Sequence, residues 1–270
     1  MTSVDFQLPK TSSGAAAKLA SSHSSEQSIK LYGAWFCPYV QRVWITLCEK
    51  AIAYQYVEIN PHHKDSAFLA LNPRGLVPTL VMAQDDGEAK VLFESSILCE
   101  YLDDAFSHPP SLLPSEAYAK ARARLWIDHV NSRIVPAFYK LMQHTPDKAY
   151  SLDEARAELR RQIESLVEQM DPDGPWFLGR HISLVDISLI PWARRLWLVD
   201  ACKPGGGVAL PVDGELWTRW ALWREAVDGR QSVGDTTSDD ESYLAAYKWF
   251  MRDKTASEVG QATRRGQRSS

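Results

Sequence analysis

A cysteine followed at once by proline, with a short apolar run before it and an amphipathic run after it, is a combination that can make sulfur reactive. Here the pair is Cys37-Pro38. The run before it, Ile29 to Tyr32, has the length and alternation of a buried strand, and Gly33-Ala34 breaks it. From Val40 the apolar residues fall at Val40, Val43, Trp44 and Leu47, one face of a helix. Proline suits the first helical position, where its missing N–H would have had no partner. Cys37 is therefore predicted at the cap, its sulfur facing the unsatisfied N–H groups and the positive end of the helix dipole. Both favour thiolate, the reactive form. Arg42, one turn on, is placed to add to the same field. The competing reading is a cysteine that fills space; the strand–Cys–Pro–helix order outweighs it by supplying a mechanism. A dithiol redox site would carry a second cysteine three residues later, and Val40 stands there. The predicted site is monothiol, resolved by an external thiol.

The other chemistry-bearing residues read differently. Cys48 and Cys99 fall within apolar helical runs, as core residues do. With Cys202 they bring the cysteines to 4, too few and too scattered for a disulfide framework or a zinc site. His62-His63 are adjacent rather than spaced for a shared metal, so no metal is expected. Gly205-Gly206-Gly207 lacks the lysine and flanking strand of a phosphate loop. A net charge of -4 implies no general attraction to nucleic acid. No stretch reaches the length of a membrane span, and the N-terminus lacks the apolar core of a signal peptide. A reducing cytoplasm is the expected location. The 10 tryptophans suggest aromatic packing or a hydrophobic ligand cavity.

The elements that must position Cys37 follow in order. Residues 1–28, rich in Ser, Thr and Ala without an apolar period, read as a disordered tail. Residues 29–104 read β-α-β and then β-β-α, a thioredoxin-like domain. Its second strand is Tyr54 to Ile59 and its third begins near Thr79. Asp85-Asp86-Gly87 is a hairpin turn, Val91 to Phe93 the return strand, and Glu94-Ser95-Ser96 opens the last helix. Residues 105–114, with Pro109-Pro110 and Pro114, read as a linker. Residues 115–254 read as an all-helical domain, with a kink or break at Pro136. Ser183 and Asp186 have capping-box spacing and Ile182 and Ile187 that of a hydrophobic staple, starting a helix that runs to about Leu198. Residues 255–270 read as a disordered basic tail. The fold class is α/β plus all-α.

Four segments in this order carry a family resemblance: F-C-P-Y at Phe36 to Tyr39, N-P-x-G-L-V-P at Asn72 to Pro78, F-E-S-S-I-L-C-E-Y-L-D at Phe93 to Asp103, and F-L-G-x-x-I-S-L-V-D at Phe177 to Asp186. Over roughly Ile29 to Met251 the chain resembles cytosolic glutathione transferases, most closely the omega-like class, with a C-terminal run similar to fungal members. The resemblance implies glutathione as co-substrate, a thioredoxin-like domain with an all-helical one, and a homodimer. It implies a cis Val77-Pro78 bond with the Val77 backbone pairing to the cysteinyl part of glutathione. Glu94 and Ser95 would hold the γ-glutamyl end, the carboxylate at a helix N-terminus and the ammonium on Glu94. Lys64 would reach the glycyl carboxylate. Taken singly, Glu94-Ser95 is an ordinary cap, Val77 a strand end and Lys64 a solvated charge; gathered around Cys37 they form a peptide site. Arg195 matches a position facing the second-substrate cavity, and an inter-helix arginine is an equal reading. Trp126, Tyr139, Trp192 and Trp197 either line that cavity or pack.

The chemistry so implied is thioltransferase and reductase chemistry, including deglutathionylation and dehydroascorbate-type reduction, on a small hydrophobic or disulfide substrate. Two alternatives stand beside it. One is a conjugating or tailoring transferase aimed at an electrophile. The other is a non-enzymatic relative used for binding or regulation; like the chloride-channel-like relatives it would keep the cysteine, but no stretch here reads as membrane-inserting. Neither a membrane nor a nucleic-acid partner is expected.

Overall fold

A computed structural model describes residues 10–61, 63–83, 88–203, 205 and 207–266. In chain order the elements are α1 (Gly14–Ser22), β1 (Ile29–Gly33), α2 (Pro38–Glu49), β2 (Gln55–Glu58), α3 (Ser66–Leu71), β3 (Thr79–Ala83), β4 (Ala89–Phe93) and α4 (Ser95–Ala105). Then come α5 (Ala117–His129), a π-helical turn (Val130–Ile134), α6 (Val135–Met142), α7 (Leu152–Val167), α8 (Leu184–Ala193) and α9 (Leu196–Cys202). The chain ends with α10 (Glu215–Asp228), α11 (Gln231–Asp235), α12 (Asp240–Met251) and α13 (Glu258–Arg264). They divide into two compact units. The first comprises residues 1–113 and 229–245, the second 114–228 and 246–270.

The first unit is built on a sheet of order β2-β1-β3-β4, with β1 and β2 parallel and the other pairs antiparallel. This is the thioredoxin-like arrangement that the order of elements predicts. Apolar spacing turns Val40, Val43, Trp44 and Leu47 of α2 fully inward, and α2 packs against α4. Trp44 stacks on Tyr56 at 4.3 Å and donates its indole N–H to the Tyr54 hydroxyl, fixing the helix over β2. The register sets the site. Gly33 lies level with Glu58, Tyr32 with Thr79, and Thr79 with Phe93. The ends of β1, β2 and β4 and the start of β3 therefore meet at one edge of the sheet. The turn expected at Asp85-Asp86-Gly87 lies outside the described residues.

Two segments of this unit depart from the sequence reading. Within 1–28, residues Gly14–Ser22 are helical rather than disordered. The helix is held by long-range polar contacts: Ala16 N–H donates to Thr237 C=O, and Ser13 bonds Ser238 and Ser242. Beyond it, Tyr56 N–H donates to His23 C=O at 2.8 Å, tying the segment to β2. The second departure is 229–245, read as part of the helical domain but clustered with the sheet. Arg230 donates twice to the buried Glu49 carboxylate, Ser232 donates to the same group, and Gln41 donates to Thr236 C=O at 3.2 Å.

The second unit is helical. Pro136 sits at the start of α6, just after the π-helical turn, where a missing N–H and a crowded carbonyl interrupt the regular ladder. Ser183 and Asp186 form the expected capping box. Asp186 is fully buried and accepts from Phe177 N–H, Ser183 N–H, the Ser183 hydroxyl and the Trp223 indole, all at 2.6–2.8 Å. The helix it starts stops at Ala193 instead of reaching Leu198. The reason is local. Arg195 offers its side chain, not its backbone, to the Pro191 carbonyl at 2.6 Å, and its N–H goes to Trp192 C=O. The basic tail carries a helix, α13, rather than disorder throughout. Gln143 donates to Gly260 C=O and Arg264 to Thr255 C=O, contacts that no apolar period announces.

Candidate functional site

Cys37 is the N-cap residue of α2, in extended backbone conformation, with Pro38 in the first turn. Its own N–H closes a tight turn onto Ala34 C=O at 2.9 Å. The sulfur does not cap the helix. It lies 3.9 Å from the carbonyl oxygen of Val77, half-buried. Cys37 thus occupies the cap position that the sequence predicts, without a side-chain cap bond. The dipole of α2 still points its positive end at this residue, while the thiol finds its acceptor across the sheet edge.

That acceptor is where the register demands. β3 begins at Thr79, opposite Tyr32, so the residues just before it face the turn that leaves β1. Val77-Pro78 is a cis bond, Val77 half-buried and Pro78 buried. Asn72, fully buried, shapes the loop. Its side-chain amide donates to Leu76 C=O at 3.1 Å and to the Thr79 hydroxyl at 2.9 Å, while its carbonyl oxygen accepts from Arg74 N–H. Gly75 has φ +62°, and a Cβ there would sit 2.8 Å from Cδ of Lys64. The Lys64 stem therefore lies along this loop, where Asp65 caps α3 by accepting from Phe68 N–H.

β4 ends at Phe93, opposite Thr79, which delivers Glu94 and Ser95 to the same edge. Glu94 takes φ +74°, an unusual conformation for a residue with a Cβ, and serves as N-cap residue of α4 without a side-chain cap bond. Its carboxylate pairs with Arg74 at 2.7 Å. Ser95 is buried and accepts a hydrogen bond from Arg42 at 3.3 Å. Arg42, fully buried on α2, thus lies beneath the helix start that Ser95 opens and also stands 5.5 Å over the Tyr39 ring.

Cys37, Lys64, Val77, Pro78, Glu94 and Ser95 therefore all belong to the first unit. Arg195 belongs to the second, where it is buried, bonded to Pro191 C=O and 5.9 Å over the Tyr247 ring. Tyr139 and Trp192 are also core residues there, 1% exposed each. Sequence reasoning passed over Asn72 and Arg74. Both lie inside a quoted motif, but a turn asparagine and a turn arginine look alike whether they point to solvent or organise a loop. It also passed over Glu58, whose carboxylate accepts from Trp35 N–H at 3.0 Å. Among the described residues no group of three or more His, Cys, Asp or Glu is gathered to hold a metal ion, and no helix is long and apolar enough to cross a membrane.

The thiol of Cys37 thus meets the Val77 carbonyl, and the strand ends bring the Glu94 carboxylate and the start of α4 at Ser95 to the same edge of the sheet. The comparisons with known proteins identify the family. Residues 31–110 match the model for the glutathione S-transferase N-terminal domain, and residues 149–226 that for its C-terminal domain. Glutathione S-transferase omega-1 of Sus scrofa is 31% identical over 172 residues, which cover 63% of this chain and 68% of that protein. The crystal structure of glutathione transferase Omega 3C from Trametes versicolor superposes with a TM-score of 0.75 at 39% identity, covering 86% of this chain and 99% of that one. A tau-class glutathione S-transferase from Mangifera indica gives 0.71 at 26% identity, covering 84% of this chain and 100% of that one. The chain belongs to the glutathione S-transferase family.

Proposed function

We propose that this chain is a glutathione-dependent thioltransferase and reductase in which Cys37 is the nucleophile. One observation carries the reading: Cys37 opens α2 ahead of Pro38, with its sulfur at the Val77 carbonyl and Val40 where a resolving cysteine would stand. In the first step the Cys37 thiolate attacks the glutathione sulfur of a mixed disulfide. The old S–S bond breaks, the substrate leaves as thiolate, and Cys37 carries the glutathionyl group. In the second step a bound glutathione thiolate attacks that glutathionyl sulfur, releasing oxidised glutathione and returning the Cys37 thiolate. Atoms and electrons balance, since one disulfide is reduced as another forms.

The surrounding residues supply binding. The cysteinyl N–H of glutathione pairs with Val77 C=O, taking over the acceptor that the resting thiol uses. Its γ-glutamyl carboxylate sits at the start of α4 at Ser95, supported from below by Arg42. Its ammonium goes to Glu94, sharing that carboxylate with Arg74, and its glycyl carboxylate goes to Lys64. A cytoplasmic setting and a homodimer belong to the same reading.

The test is Cys37→Ala, assayed on a glutathionylated peptide and on an aryl halide, with glutathione affinity measured by calorimetry. Turnover of the mixed disulfide is expected to fall by at least two orders of magnitude, with glutathione affinity changed less than about threefold. Wild-type turnover on the disulfide would overturn the assignment. Dominant activity of the native protein on the aryl halide would make it a conjugating enzyme instead.

A further inference from the structure

The carboxyl group of Glu58 has no part in the mechanism above, yet it touches the loop that carries the nucleophile. Glu58 ends β2, level with Gly33, where β1 gives way to the Ala34–Cys37 turn. One of its oxygens accepts from Trp35 N–H at 3.0 Å, inside that turn. The other accepts from the Tyr56 hydroxyl at 3.2 Å. Tyr56 is buried beneath the turn: a Cβ on Gly33 would meet Val40 at 2.5 Å and the Tyr56 ring and hydroxyl at 3.4 Å. A tight turn, a buried phenol and a carboxyl group thus form one hydrogen-bonded unit with Cys37 at its outer end.

We propose that Glu58 is a positioning residue whose protonation state bears on the reactivity of the Cys37 sulfur, through Tyr56 and the amide of Trp35. The proposal rests on Cys37 being the nucleophile. Two anions cannot be brought together without each resisting the other's ionisation. An ionised Glu58 opposes the Cys37 thiolate, and loss of the thiolate by disulfide formation lets Glu58 release its proton more readily. The coupling is reciprocal.

Burial dominates the electrostatics of Glu58 and Tyr56. Burial pushes the Glu58 carboxyl up to about 7, against the pull of its bonds from Trp35 and Tyr56. The Tyr56 hydroxyl is pushed well up, by burial first, then by the charge of Glu58, with Cys37 adding to it. Neighbouring ionisable groups have partners of their own. Lys30 of β1 pairs with Glu26, and Arg42 of α2 bonds Ser95. Tyr54 accepts from Trp44 and stacks with His23, and Asp235 of α11 acts on Tyr54 and Cys48.

Two measurements test this, and both read protonation rather than turnover. The first is the rate of Cys37 alkylation by iodoacetamide from pH 4 to 10, located by peptide mapping, in the native protein and in Glu58→Gln. The variant is expected to shift the thiolate midpoint down, by up to about one pH unit. The second follows Glu58 itself by NMR of ¹³C-labelled glutamate. Its midpoint is expected near neutrality in the native protein and lower in Cys37→Ser, whose hydroxyl stays uncharged. Superposable alkylation curves together with a Glu58 midpoint indifferent to Cys37→Ser would overturn the proposal. If Glu58→Gln does not fold, the Cys37→Ser titration decides alone. Failure here leaves the nucleophile assignment standing, because loss of turnover in Cys37→Ala tests that separately.

Discussion

The thiols of Cys48 and Cys99 are pushed up to about 12 and about 11, burial being the first cause in each. Burial also raises the thiol of Cys202, against the pull of Lys203. Each is thereby held toward the protonated thiol, the less reactive form. Exposure to oxidised glutathione is therefore expected to stop at one mixed disulfide on Cys37, reversed by reduced glutathione. Intact mass and peptide mapping check this, and glutathione found chiefly on another cysteine would contradict it. Glu58 yields a second prediction, on stability. Its folded value of about 7 stands above the ordinary 4.5, so the native state holds a proton that the unfolded chain has already lost. The associated stability is fully present below about pH 4.5 and is lost as pH rises through 7, on the order of 3 kcal/mol in all. Urea unfolding at pH 5 and pH 8 is expected to show that fall for the native protein and a smaller one for Glu58→Gln. An equal fall in both would exclude Glu58 as its source.

At the scale of elements, α1 and α11 deserve to be treated as part of the thioredoxin-like unit. Gly14 takes φ +57°, a conformation strained for a residue with a Cβ, and a Cβ there would meet the Asp239 carboxylate at 2.3 Å. His23 C=O receives Tyr56 N–H, and Ser28 C=O receives Ala83 N–H. Removing residues 1–28 strips partners from β2 and β3 and uncovers α11. The truncation is expected to cost roughly 2–4 kcal/mol and several degrees of melting temperature, read by calorimetry. An unchanged melting temperature would mean that α1 is an ornament. This element also marks the limit of what the sequence discloses. The capping box at Ser183 was legible because its partners stand three residues apart. The strand–Cys–Pro–helix unit was legible because apolar spacing changes period across it. The packing of α1 was not, because its partners lie more than 200 residues away and are serines and backbone carbonyls. Arg74 with Glu94 was hidden for the same reason: nothing local distinguishes a paired arginine from a solvated one.

For the whole molecule, family membership carries the expectation of a homodimer. Sedimentation velocity at micromolar concentration is expected to show about twice the mass of the 30.4 kDa chain, and a monomer there would remove it. The division of the chain has a further bearing. Residues 229–245 belong to the first unit although the second unit's 114–228 intervene. During synthesis, the ribosome has therefore made most of the polypeptide before α11 exists to cover α2 and before Arg230 and Ser232 reach the buried Glu49 carboxylate. Until then Glu49 is a charge on α2 without the partners it has in the folded unit. Satisfying the inward carboxylate of α2 is thus among the last acts of assembly, and it depends on residues made almost two hundred positions after it.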